Sequence, residues 1–363
     1  MTLVSGDGPL VTGQGPVRSG VTAILPRGAD GVGVPCAAGW WSLNGNGEMT
    51  GTTWIDEVGA LTLPVTVTNT HAVGSCHRGT IDWVVAHHPE LATQWLLPVA
   101  AETWDGYLND VNGAHVRPEH AAAALDAASS GPLQEGSVGG GTGMSCYAFK
   151  GGTGTASRLV RHGDDDYTVG VLLQANFGSR AELTVAGVPV GSSLDVQNPM
   201  ETTPWLERDG VRAGAAPAGA GSCIAVVATD APLLPGQCKA LARRVALGLA
   251  RTGTTGSHFS GDVFLAFSTA NAGALASRIP TAPAGPGEYD TLRFVPWGRM
   301  DPFFTAVVEA AEEAVLNALV VNANMVGRDG HLSPALPHGQ LVTALAAAGR
   351  LEGRVDGPSS VDT

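Results

Sequence analysis

Ser222 stands at a sharp boundary. The eight residues before it, Gly214 to Gly221, read GAAPAGAG, and the residues after it, CIAVVA, are all apolar. A bond cut between Gly221 and Ser222 would make Ser222 a chain terminus, with a free α-amine beside its own hydroxyl. Such an amine has a pKa of about 7.7–8.0. It can take the hydroxyl proton where an internal serine needs a histidine. Gly221 presents no side chain to obstruct attack on its carbonyl, and the Gly/Ala lead-in is easy to bend into position. The apolar strand that follows would hold the nucleophile rigidly. The same composition also describes a plain linker before a strand, so on these residues alone cleavage is one of two readings.

Other chemical templates are absent. The run Gly139 to Gly143, GGGTG, is rich in glycine. No GK[ST] follows it and no GxGxxG opens a helix, so it is a poor phosphate cradle. There is no GxSxG elbow and no HExxH. Ten histidines are scattered, and the only adjacent pair, His87–His88, fits a helix surface. No spacing supports a metal site, and no cofactor is expected.

Composition narrows the setting. The net charge is −13 with no concentrated run of Lys or Arg, which argues against nucleic acid and anionic membranes as partners. With 44% hydrophobic and 15% charged residues, 363 residues can build a sizeable core. Five cysteines, an odd number without a CxxC pair, do not make a disulfide framework. They fit a reducing cytoplasm. The first residues show neither a basic nor an apolar signal region, and no segment reaches membrane-spanning length.

The elements that must position Ser222 can be traced by periodicity. Residues 61–70, 167–175, 181–186, 222–229 and 263–268 read as strands. The strand at 181–186 follows NFGSR, which has the composition of a hairpin turn. A helix is expected from Pro235, which suits a first helical position, to a stop near Gly253. A second runs from about Pro302 to Met325, with Phe304, Val307, Val308, Ala311, Val315 and Leu319 on one face. Weaker helical patterns cover 80–85 and 121–127. Long strands of antiparallel character mixed with helices imply sheets packed on each other and covered by helices.

Several blocks occur together and in order: NGNGEMTGTTWIDEVGAL, LPVTVTNTHAVG, AETWDGYLNDVNGAHV, GSVGGGTGMSCYAFKGGTGTASR, VGVLLQANFGSR, GSCIAVVATDAPLLPGQCKALARRVALGLARTG and SGDVFLAFSTAN. From about Gly20 to Gly330 the chain resembles the self-processing aminopeptidases of the DmpA type, the L-aminopeptidase/D-esterase group that includes β-peptidyl aminopeptidases. The resemblance implies a single four-layer αββα sandwich over 1–363, of the α+β class. It implies a cut at Gly221–Ser222 into an α chain 1–221 and a β chain 222–363, with Ser222 as nucleophile. It also implies an oligomer, commonly a tetramer of cleaved heterodimers.

The resemblance carries further roles onto this sequence. It makes Ser260 and Asp262 the serine and acid near the nucleophile, Asn176 the oxyanion donor and Glu102 the anchor for the substrate's free amine. Trp104, Tyr107 and Tyr147 are candidates for the family's active-site tyrosine position, with Trp104 and Tyr107 assigned to substrate binding. Each role has an ordinary alternative. Asn before Phe-Gly opens turns. Asp262 could cap a turn. A buried acid in LLPVAAETW needs a partner, which a substrate ammonium or an internal Arg or Lys could supply. Cys223, next along the strand, should face the core.

The mechanism so implied is an N→O acyl shift at Gly221, then hydrolysis of short peptides, amides or esters through an acyl-enzyme on Ser222. Either the α-amine or Ser260/Asp262 acts as base. Two rivals are an acyltransferase of the ornithine acetyltransferase type, which uses Thr at the new terminus, and an uncut homologue that binds small amines.

Overall fold

A computed structural model describes residues 1–208, 211–215, 217–280 and 282–351. The central sheet has six strands: β2 (Cys36–Ser42), β3 (Ala60–Leu61), β6 (Gly152–His162), β7 (Asp165–Asn176), β8 (Gly221–Thr229) and β9 (Ser260–Ser268). Their spatial order is β6-β7-β8-β9-β2-β3. A smaller sheet has the order β1 (Thr22–Ile24), β4 (Val65–Asn69), β5 (Val99–Thr103). The helices that cover the sheets are α1 (Val73–His87), α2 (Pro118–Asp126), α3 (Pro235–Arg251) and α4 (Asp301–Val320).

Strand alternation sorts the core into layers. On β8, Cys223, Ala225 and Val227 join Leu241, Val245, Val307 and Ala311 of α3 and α4 in one cluster. Ile224 and Val226 point the other way and pack with Val65, Val67, Val99 and Ala101 of the smaller sheet. The far side of that sheet is closed by α1 and α2, through Cys76, Ala100, Ala121 and Ala124. The architecture is the expected αββα sandwich. The helices sit close: a Cβ on Gly79 of α1 would lie 2.2 Å from the Pro118 carbonyl of α2.

The local departures have physical causes. The sheet is mixed, because β8 and β9 run parallel, with α3 carrying the crossover. The strand expected at 61–70 is divided between the two sheets, with Pro64, which has no N–H to give a ladder, in the break. No hairpin strand runs from 181 to 186. Arg180–Glu182 is a single 3-10 turn held by a Ser179/Glu182 capping box, and only Thr184–Val185 pairs, with Val188–Pro189. Helix α4 ends at Val320, and Asn322 Nδ2 donates to the Ala318 carbonyl at 2.5 Å just beyond it. The Gly/Ala lead-in is partly ordered into sheet: Val211–Gly214 pairs with Leu206–Arg208, and Gly221 already belongs to β8. Residue 216 within it lies outside the described residues.

The GGGTG run forms a buried 3-10 turn between the sheets. A Cβ on Gly140 would meet Gln174 Oε1 at 2.2 Å, and one on Gly143 would meet the Arg18 carbonyl at 2.0 Å. These glycines allow close backbone packing. All five cysteines are free and buried. Among the described residues no helix is long and apolar enough to cross a membrane.

Candidate active site

The first residues of β8 and the last of β7 meet at one end of the central sheet. Asn176 lies opposite Ser222 in the antiparallel register, and on the other side Gly261 of β9 lies opposite Ser222. Ser222 is 2% exposed, and its hydroxyl donates to the Gly221 carbonyl at 2.5 Å. The hydroxyl therefore rests against the peptide group whose cleavage would free it. Gly221 has φ +154°, and a Cβ there would fall 1.8 Å from the Asn176 carbonyl oxygen. No side chain fits at that position.

The Asn176 side chain is held at both ends. Its Oδ1 accepts from the Ser145 N–H at 2.8 Å, and its Nδ2 donates to the Trp104 carbonyl at 2.9 Å. One partner can only donate and the other can only accept, so the amide has one orientation. That leaves a carboxamide N–H beside the strand position that carries Ser222.

Ser260 and Asp262 occupy the neighbouring strand, with Ser260 opposite Gly221 and Asp262 opposite Cys223. Ser260 Oγ donates to Asp262 Oδ1 at 2.7 Å. Asn44, in the loop after β2, closes the other side of the carboxylate. Its Nδ2 donates to Asp262 Oδ2 at 2.8 Å, and its Oδ1 accepts the Asp262 N–H at 2.6 Å. Burial holds the Asp262 carboxyl above the usual carboxylate range, while Ser260, Asn44 and the Cys223 backbone pull it down. Asp262 shares the strand parity of Phe264, which packs on the helix side, and it lies near Cys223 and Cys146. Ser222 has the parity of Ile224, which faces the other sheet. Among the described residues no hydrogen bond joins Ser222 to Ser260 or Asp262 in the uncut chain.

Glu102 lies on β5, is 2% exposed and is held without a cation. Its Oε1 accepts the Glu48 N–H at 2.9 Å and its Oε2 accepts the Thr70 hydroxyl. Burial is the largest influence and raises its pKa. The Glu48 carboxylate adds to the rise, while Thr70, the Glu48 N–H and His71 oppose it. Among the described residues no Arg or Lys pairs with it, so the internal partner considered from the sequence is not there. The strand brings Glu102 within two residues of the Trp104 carbonyl that binds Asn176.

The aromatic candidates separate. Trp104 is half-buried and stacks on Trp205, with centroids 5.9 Å apart. Tyr107 is buried between Trp205 and His331, and its hydroxyl donates to the Leu332 carbonyl at 3.2 Å. Tyr147 is fully buried, with its hydroxyl 2.7 Å from Thr252 Oγ1. Cys223 is a core residue, as its strand position implies.

Sequence reasoning missed two residues here. Asn44 carried a weak signal, since it sits in the stretch NGNG, whose composition also suits a plain turn. Trp205 had none, because its stacking partner is a hundred residues away.

The chain is similar to known proteins over most of its length. The model of peptidase family S58 matches residues 3–333. The chain is 46% identical over 351 residues to the β-peptidyl aminopeptidase BapA of Sphingosinicella microcystinivorans, covering 97% of this chain and 86% of that one. It superposes on the L-aminopeptidase D-Ala-esterase/amidase of Ochrobactrum anthropi, described as a prototype for the serine aminopeptidases and a variant of the Ntn hydrolase fold. The TM-score is 0.85 at 42% identity, with 97% and 91% of the two chains covered. A β-aminopeptidase from a Burkholderia species gives 0.81 at 42% identity with the same coverage.

Proposed function

The chain belongs to peptidase family S58, and on that premise we propose that it cuts itself between Gly221 and Ser222 into chains 1–221 and 222–363, with Ser222 the nucleophile of both the cut and the later turnover. The protein is a self-activated serine hydrolase, an aminopeptidase for short peptides, amides and esters with a free amine. The observation that carries the assignment to Ser222 is its hydroxyl lying 2.5 Å from the Gly221 carbonyl oxygen, at the start of a buried strand.

In the first act Ser222 Oγ attacks the Gly221 carbonyl carbon. The C–N bond breaks, the acyl group passes to oxygen, and water then releases the Gly221 carboxylate. In the second act the freed Ser222 attacks the carbonyl of the substrate's first residue. Asn176 Nδ2 donates to the oxyanion, a contact typically worth about 3–4 kcal/mol. The leaving group takes a proton, and water resolves the acyl-enzyme. The α-amine of Ser222 does not exist before the cut, so the first proton transfer needs another group. The Ser260–Asp262 pair, one strand away, is the titratable site nearest in register, and because it has the strand parity opposite to that of Ser222 it would have to reach the hydroxyl around the strand end. After the cut the α-amine is available as base.

Glu102 binds the substrate ammonium, whose charge offsets the burial of the carboxylate. This makes the enzyme act on chain ends. The extra methylene of a β-amino acid moves the amine away from the carbonyl, and the named substrates of the relatives make such residues the first to try. Trp104 lines the site beside Asn176, with Tyr107 behind it. Assembly as a tetramer of cleaved heterodimers, in the cytoplasm, belongs to the same reading. Trp95, Leu97 and Ile279, exposed around a groove of about 500 Å³, are apolar surface that such an assembly would cover.

The deciding experiment is the intact mass of the purified, denatured protein and of its Ser222→Ala variant. Two masses split at Gly221/Ser222 are expected from the parent, with a single uncut and inactive chain from the variant. A variant that still cleaves or hydrolyses would remove Ser222 from the mechanism.

A further inference from the structure

Lys150 is the most deeply buried cation among the described residues, at 0% exposure. Its ammonium donates to the carbonyls of Met144 and Gly151, each at 2.7 Å. No carboxylate pairs with it among the described residues. Burial pulls its pKa down to about 7, so near neutral pH ammonium and amine are both populated, and each form has N–H groups for the two carbonyls. A buried ammonium without a counter-ion is costly. A methionine of similar length would fill the same space without that cost, so a buried N–H donor at this position calls for an explanation.

The explanation lies in one peptide group. The Met144 carbonyl that Lys150 holds belongs to the same peptide as the Ser145 N–H. That N–H donates to Asn176 Oδ1 at 2.8 Å, and Asn176 Nδ2 donates onward to the Trp104 carbonyl at 2.9 Å. Ammonium, peptide and side-chain amide thus run head to tail. Hydrogen bonds in such a chain polarise one another, most strongly in a dry interior. The Lys150 N–H at the carbonyl end, most strongly in the ammonium form, makes the Ser145 N–H a better donor, and the amide it grips presents a more positive N–H at its other end. The Gly151 N–H also donates to Met144 O, at 2.9 Å, which fixes the carbonyl from a second side.

We propose that Lys150 is a positioning residue for the hydrolytic reaction, which acts through the Met144–Ser145 peptide to orient and polarise the Asn176 carboxamide as oxyanion donor. The proposal rests on the reading of Asn176 given above. Lys150 touches neither substrate nor nucleophile; its effect reaches the reaction only through Asn176.

The test is a double-mutant cycle with Lys150→Met and Asn176→Ala, using a β-alanyl anilide and normalising kcat to the fraction of chain that has cleaved. Lys150→Met should lower kcat about tenfold, less than the loss of a whole donor, with KM changed less than twofold. In the Asn176→Ala background it should change kcat little, because the two act as one unit. Equal losses in both backgrounds, or no loss from Lys150→Met, would overturn the proposal. Full activity of Asn176→Ala would instead sink the oxyanion reading on which it rests. Should Lys150→Met prevent cleavage, the uncut Ser222→Ala chain gives a second readout. There the side-chain amide resonances of Asn176 should shift on adding Lys150→Met while those of Asn44 stay in place. Unmoved Asn176 signals would count against it.

Discussion

The carbonyl oxygen of Asn176 occupies the space beside Gly221 where any other residue would begin its side chain, 1.8 Å from an ideal Cβ. The last residue of β7 therefore dictates the residue before the nucleophile. Gly221→Ala must push the two strands apart at the end that carries Ser222. Overpacking of this kind costs about 1–3 kcal/mol. A lowered melting temperature is expected, together with cleavage slowed at least tenfold, followed by intact mass over time. Cleavage at the parent rate would show that this contact does not govern the cut.

Glu102 distinguishes the two acts. Self-cleavage involves no free amine, whereas turnover needs one. Glu102→Gln keeps the shape and the hydrogen bond from Thr70 but removes the charge. A charged hydrogen bond is worth about 1.5–3 kcal/mol, so KM for an amino-terminal substrate should rise about 10–100-fold. The rate of appearance of the two chains should not change. Equal damage to both acts would make Glu102 a structural residue.

Asp105 gives a pH signature. It is fully buried, and burial raises its pKa from the ordinary carboxylate value of 3.8 to about 7, despite donors from Ser19, Asn109 and Asn69. The folded state thus holds a proton that the unfolded chain has lost. The stability this contributes is complete below about pH 4 and disappears as pH rises through about 7. The amount is on the order of 4 kcal/mol. Asp105→Asn does not titrate, so its melting temperature relative to the parent should climb between pH 4 and pH 8. A constant difference across that range would contradict the assignment.

The sequence by itself determined the strand that opens at Ser222, because an apolar run after GAAPAGAG leaves little else. It also determined the helices α3 and α4, whose apolar faces keep their spacing over many turns. The order of the quoted blocks carried the fold and the family. Glu102 was legible as an acid in an apolar run, and its need for a partner followed from the cost of burying it.

Tertiary structure alone decided what these residues touch. Asn44 and Asp262 lie more than two hundred positions apart, yet each supplies the other's donor and acceptor. Lys150 reads as one cation in a glycine-rich block until the fold puts its ammonium on the peptide that grips Asn176. The face on which Ser260 and Asp262 stand depended on the parallel register of β8 and β9. Periodicity reports which way a side chain points from its own strand, whereas pairings across the chain arise only when distant strands dock. The core needs only apolar residues at the right spacing, but the site needs particular atoms within about 3 Å of each other.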